Sequence, residues 1–329
     1  MTTFGGRPVH CLSFDVEEHF QVSAFWSEAR RQQWGQLESR VSKNTGKILE
    51  LLEQRNMHAT FFILGWVAER CPGLVRMIAE QGHEVASHGY GHELITSQTP
   101  ETFRKDVRKA KGILEDICGR RVYGYRAPSF SITNETKWAI SILIEEGYQY
   151  DSSIFPILHD RYGMPDAEPT IHRLDTEGGA LWEVPPSTCK IFWTRLPIAG
   201  GGYFRLYPYP LLRTLLKRVE KSGHPLVMYL HPWELDPDQP KMDGHWLSRF
   251  RHYLNLDKTE ARLCSLLEDF HFRSIKDTLE SLVKGFPLHE AVSKIHTDAF
   301  GGNTLSPALT GPCPPIDTCW KPAASGSDH

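Results

Sequence analysis

Paired cysteines are missing from this chain. Its seven cysteines stand at positions 11, 71, 118, 189, 264, 313 and 319, with no CxxC spacing, and an odd number cannot all pair internally. That pattern argues against a disulfide framework and for a reducing compartment. Excess positive charge is missing too. Against 40 Asp and Glu there are 37 Lys and Arg, leaving a formal net charge of −3 and a pI near 6.6. Nucleic-acid binders carry a basic patch or domain, so nucleic acid is not an expected partner. Long apolar runs are absent as well. The most apolar stretch, residues 59–68, is too short to span a bilayer, so an integral membrane protein is not expected. The opening MTTFGGRPVHCLSFD lacks the basic-then-apolar order of a secretory signal. The expectation is a cytoplasmic protein, at most peripheral to the inner membrane. Core material is plentiful, with 40% hydrophobic and 11% aromatic residues.

Short apolar runs alternate with helical spacing. The pattern predicts strands over 9–14, 59–64, 83–87, 121–125, 148–151, 181–184, 226–231 and 272–275. It predicts helices over 43–57, 74–81, 101–118, 135–146, 211–222, 246–254, 259–270 and 277–284, and irregular chain over 155–179. Repeated strand–helix units with short links imply an α/β fold, mostly parallel strands with outer helices. One domain over 7–285 is the economical reading. Residues 286–329, rich in Pro, Gly, Ser and Thr, are expected to be a low-complexity, disordered tail.

Active sites in parallel α/β folds gather at the carboxyl ends of the strands. Five predicted strand ends carry reactive groups. The first, SFDVEEH, puts Asp15 and Glu17 two apart, on one face of extended chain with Val16 turned into the packing. Two neighbouring carboxylates raise each other's pKa unless a cation sits between them, and a divalent metal would resolve that conflict. The second, SHGYGHE, holds His88 and His92, spaced to share one face of a helical turn and grip one ion. The third, YRAPS, closes on Arg126, a buried cation that would need an acid such as Asp15, with Pro128 stiffening the turn. The fourth ends in Asp151 and the fifth in His231, read as an orienting carboxylate and a general acid. Taken singly, several of these have bland readings: a solvated acidic loop, a structural salt bridge, a turn cap. It is their joint order along the strands that points to one pocket.

In this pattern the sequence resembles the polysaccharide deacetylases of the NodB-homology type, carbohydrate esterase family 4. Five ordered motifs carry the resemblance across roughly residues 9–280, with SFDVEE, SHGYGH and YLHP the most specific. The strings FDVEEHFQVSAF, RAPSFSIT, GGGYFRLYP and YLHPWELDP are similar to the exosortase-associated branch. The resemblance implies a distorted (β/α) barrel that removes N-acetyl groups from amino sugars of a polysaccharide or a lipid-linked precursor. It implies Asp15 as catalytic base, Arg126 as its brace, His231 as acid, Asp151 as the aspartate tuning that acid, and His88 and His92 as ligands of one divalent metal. Zn fits best, with Co, Ni, Fe or Mn able to serve. Where many members carry a second aspartate as a metal ligand, this chain has Val16. Glu17 is then the substitute, with Glu18 and His19 as rivals.

The Ser129 N–H after the Pro128 turn is expected at the oxyanion, and Trp233, with the turn at Gly200–Gly202, at the sugar face. Trp26, Trp34 and Trp66 read as core. Three rivals stay open on the sequence: a glycoside hydrolase using the paired carboxylates, which leaves His88 and His92 idle; a metal-free amidohydrolase acting on a small cyclic amide or ureide; and a non-catalytic sugar-binding protein. Oligomeric state is not legible.

Overall fold

The computed structural model describes residues 3–4, 7–159 and 162–283. Arg7–Val16 runs through its centre, with Cys11, Leu12, Phe14 and Val16 fully buried. Thr60–Ile63, Glu84–Ser87, Gly124–Tyr125, Tyr150–Asp151 and Gly179–Glu183 follow in spatial order, each parallel to the one before. Val227–Leu230 lies parallel on the other side of Arg7–Val16, and His271–Arg273 pairs with its first half. Ser187 donates its N–H to the Val227 carbonyl at 3.1 Å, which draws the two ends of the parallel run together. Strands such as Thr60–Ile63 and Val227–Leu230 are buried at every position, as sheets covered on both faces require.

The helices are amphipathic and lie outside. Pro100–Cys118 buries Phe103, Val107, Ala110 and Leu114, a three-and-four spacing along one stripe. Its ends are written in the sequence. The Thr99 hydroxyl accepts from the Thr102 N–H, Pro100 opens the first turn, and Gly119 closes it at φ 65°.

The predicted α/β order holds, with element ends shifted by a few residues in either direction. Two hairpins escaped the reading. His172–Thr176 pairs antiparallel with Gly179–Glu183 inside the stretch expected to be irregular, and Thr188–Ile191 pairs with Thr194–Pro197. Gly179–Glu183 overlaps the strand predicted over 181–184, but its edge partner His172–Thr176 and the strands of the second hairpin are short and carry polar residues, so they lack an apolar run to announce them. Cys11, Cys71, Cys118, Cys189 and Cys264 take part in no disulfide. Cys313, Cys319, the end of the expected 7–285 domain and the 286–329 tail lie outside the described residues. No helix among the described residues is long and apolar enough to cross a membrane.

Candidate active site

Asp15 sits one residue before the end of the central strand, beside Phe62 of its neighbour. Arg126, the residue after Gly124–Tyr125, is fully buried and reaches across to it, Nη1 to Oδ1, at 2.6 Å. The same nitrogen bonds Ser13 Oγ at 2.9 Å, while Nε and Nη2 are held by Ser152 O and Oγ. The guanidinium also lies 4.1 Å over the Phe62 ring. One oxygen of Asp15 is therefore locked, and Oδ2 is left to face the cavity.

Glu17, His88 and His92 are buried and offer three ligand atoms within 4.8 Å of one another. His88 Nδ1 is tied to the Arg126 carbonyl at 2.8 Å, which leaves Nε2 for the cavity. Burial holds the His88 imidazole down at about 4, the neutral form a metal needs. His92 Nε2 comes within 2.7 Å of Glu17 Oε2, yet that oxygen has no hydrogen-bond partner. Two donors pressed together without a bond are what a shared cation would explain. Burial opposes charge on Glu17, but His92, then His231 and His88, outweigh it and hold the carboxyl down at about 2. Trp233 Nε1 fixes the other oxygen at 3.1 Å.

The rival ligands Glu18 and His19 stand outside this group. Glu18 accepts from Ser39 Oγ and the Arg40 N–H at the start of helix Val41–Glu53, and His19 is outside the three-residue group. The two histidines do not share a helical turn, as their spacing suggested. They stand on an irregular loop with Gly89 at φ 74° and His92 at φ 51°. Asp106 pins that loop by accepting from the N–H groups of Tyr90 and Gly91, and a side chain at position 89 would strike its carboxylate at 2.7 Å.

His231 follows Val227–Leu230 and points Nε2 at both acids, 3.9 Å from Asp15 Oδ2 and 3.7 Å from Glu17 Oε1. Its orienting partner is not Asp151. Glu234, fully buried three residues on, holds Nδ1 at 2.6 Å, because the turn Pro232–Leu235 brings the two together. Arg205 Nε donates to the other Glu234 oxygen at 3.1 Å, and its Nη1 is locked by the carbonyls of Arg251, His252 and Leu254. Burial works against a charged His231. The Glu234 bond and the charges of Glu17, Glu234 and Asp15 overcome it and push the imidazole up to about 9.

Glu234 and Arg205 went unread in the sequence. The signal was HPWE, a histidine with an acid three residues on, and the GGGYFRLYP string. A Cβ at Gly201 would lie 1.7 Å from Glu234 Oε2, so the middle glycine exists to admit this carboxylate. Gly201→Ala is expected to cost about 1–3 kcal/mol through overpacking, read as a lowered urea midpoint with unchanged slope.

Asp151 is fully buried and accepts from Ser153 Oγ at 2.5 Å, and it pairs with Glu183. Burial raises Asp151 to about 6, and burial together with Asp151 raises Glu183 above its ordinary value as well. Trp233 lines the cavity, but its ring is stacked on by imidazoles rather than open to a sugar face. His231 stacks on one side at 5.1 Å and His252 at 4.2 Å, and the ring is 5% exposed. Trp34 is core as expected, whereas Trp26 is exposed. Pro128 is buried, and the turn behind it holds Ser129 at φ 52° and Phe130 at φ 53°. Ser129 lines the same cavity of about 500 Å³ as Asp15, Glu17, His88, His92 and His231.

Residues 34–150 match the polysaccharide deacetylase family model. Residues 152–280 match a second model, a domain of unknown function, DUF3473. His88, His92 and Arg126 fall in the first region and His231 and Glu234 in the second, while Asp15 and Glu17 precede both. A peptidoglycan-N-acetylglucosamine deacetylase of Bacillus cereus is 38% identical over 29% of this chain and 35% of its own length. A peptidoglycan deacetylase of Helicobacter pylori is 31% identical over 33% of this chain and 36% of its own. The chain thus spans about a third of the length of the curated relatives it matches. A crystal structure from Mycobacterium smegmatis, assigned as a polysaccharide deacetylase, superposes over 82% of this chain and 88% of that one, with TM-score 0.54 and 22% identity. The fold is shared with that structure, and residues 34–150 are the part similar to the polysaccharide deacetylase family.

Proposed function

We propose that this protein is a metal-dependent N-deacetylase that releases acetate from N-acetylhexosamine residues of a polysaccharide or its lipid-linked precursor. The observation carrying this reading is the buried Glu17–His88–His92 group beside an Arg126-held Asp15 and a Glu234-held His231. Two imidazoles and one carboxylate suit Zn best, with Co, Ni, Fe or Mn as alternatives. When bound there, such an ion would polarise the acetyl carbonyl and acidify a water.

The chain's own groups would do the rest. Asp15, oriented by Arg126, takes the proton of the attacking water on its free oxygen. Ser129 lines the cavity on the turn behind Pro128, and its N–H would meet the developing oxyanion. His231, held at Nδ1, gives the Nε2 proton to the departing amine. Asp15 and Glu17 both approach His231, so they do not flank a scissile bond as glycosidase acids do.

Acetate release from N-acetylhexosamine oligomers, abolished by chelation and restored by metal, tests the reading. Turnover that survives exhaustive chelation overturns it in favour of a metal-free amidohydrolase. The pH profile is a further check. His231 serves as acid while protonated, so activity is present below its raised pKa and lost as pH rises through it. A cation at Glu17 removes part of that elevation, and the Glu234 bond keeps the rest. Glu234→Gln should therefore move the alkaline limb of kcat to lower pH, and an unmoved limb removes His231 from its role. From the extended motif strings we also assign the chain to the exosortase-associated branch, acting in exopolysaccharide production on the cytoplasmic side.

A further inference from the structure

The hairpin Thr188–Ile191 and Thr194–Pro197 turns at Phe192 and Trp193. A two-residue turn with positive φ at its first position is normally given to glycine or asparagine. Here Phe192 takes φ 52°, a conformation that costs a bulky residue about 1–2 kcal/mol. Burial does not offset it. Phe192 is 80% and Trp193 96% exposed, and the rings stack on each other with centroids 5.9 Å apart. The fold holds two large apolar rings in water at a turn that small polar residues would close with less strain. Strain persisting at an exposed point marks function.

Beside the hairpin lies a cavity of about 540 Å³ that shares no residue with the Asp15 cavity. Phe192, Lys190, Arg195, Arg218 and His224 line it, and its lining contains no Asp, Glu, Asn or Gln. Among the described residues none of the three cationic side chains, Lys190, Arg195 and Arg218, makes a hydrogen bond or ion pair, nor does His224. Glu168, bonded to Thr170, is near enough to Arg195 to feel its charge. Sugar hydroxyls are recognised by carboxylates and amides, which this lining lacks. Unpaired cations next to an apolar tip fit a phosphate-bearing apolar phase.

We propose that this hairpin docks the protein on an anionic lipid bilayer, Phe192 and Trp193 entering the boundary between headgroups and acyl chains while Lys190, Arg195 and Arg218 take lipid phosphates. The proposal stands independently of the deacetylase reading. Its test is co-sedimentation of the full chain with equimolar phosphatidylglycerol–phosphatidylcholine vesicles and with phosphatidylcholine alone. The wild type should pellet with the anionic vesicles and be released by salt. Joint Phe192→Ser and Trp193→Ser replacement should lower partitioning about a hundredfold, and joint Arg195→Gln and Arg218→Gln replacement about tenfold or more. Brominated lipid should quench tryptophan fluorescence, and Trp193→Phe should remove that quenching. Acetate release from soluble oligomers should persist in all these variants, so membrane binding and catalysis are read separately. Equal pelleting of the wild type and the tip variant, no preference for anionic vesicles, or binding to a soluble polyuronate instead of vesicles would each overturn the proposal.

Discussion

Asp15→Asn is expected to lower kcat by about a hundred- to ten-thousand-fold, the usual worth of a positioned general base, while leaving metal content unchanged. An amide oxygen can still accept from Arg126 Nη1, so the contact now 2.6 Å long survives in outline. What goes is the ability to take a proton. Stability falls as well, because Arg126 is fully buried and loses its counter-charge. Removing one member of a buried pair costs about 3–5 kcal/mol, here softened by the bonds to Ser13 and Ser152. Assays should therefore run well below the melting temperature, with circular dichroism confirming the fold. Turnover close to wild type would sink the assignment of Asp15 as base.

His88→Ala should behave differently: metal and activity disappear together. His88 is one of three donors, and its ring is pre-aimed by the Arg126 carbonyl, so its loss leaves two protein ligands. Elemental analysis of the purified variant should find well under one equivalent of metal. Stoichiometric metal in that variant would show that the ion sits elsewhere. The contrast between the two variants, metal kept with Asp15→Asn and lost with His88→Ala, separates proton transfer from metal binding at neighbouring positions.

The legible parts of this protein were those in which one periodicity or one spacing settles the matter. Thr60–Ile63 and Val227–Leu230 are apolar at nearly every position and read directly as covered strands. The pairing of Asp15 with Glu17 followed from the two-residue alternation of extended chain, and both carboxylates do approach His231. The rest depended on which chain segments fold against each other. His231 meets Glu234 rather than Asp151 because a short turn brings the nearer acid to Nδ1, whereas Asp151 is engaged by Ser153 and Glu183. Trp233 is enclosed by two imidazoles, and no local pattern says which aromatic will be enclosed. Gly201 looked like a turn residue, and its role shows only once Glu234, far along the chain, is seen against it.

The Asp151–Glu183 pair gives the folding reaction itself a proton stoichiometry. Burial, with the charge and hydrogen bond of Asp151, holds the Glu183 carboxyl above its ordinary value, so above the unfolded chain's carboxylate range the native chain keeps a hydrogen that the unfolded chain has surrendered. Collapse of the barrel therefore draws a hydrogen ion from the medium. In the window between the two ionisations this pair contributes less stability as pH rises and more as the medium turns acidic.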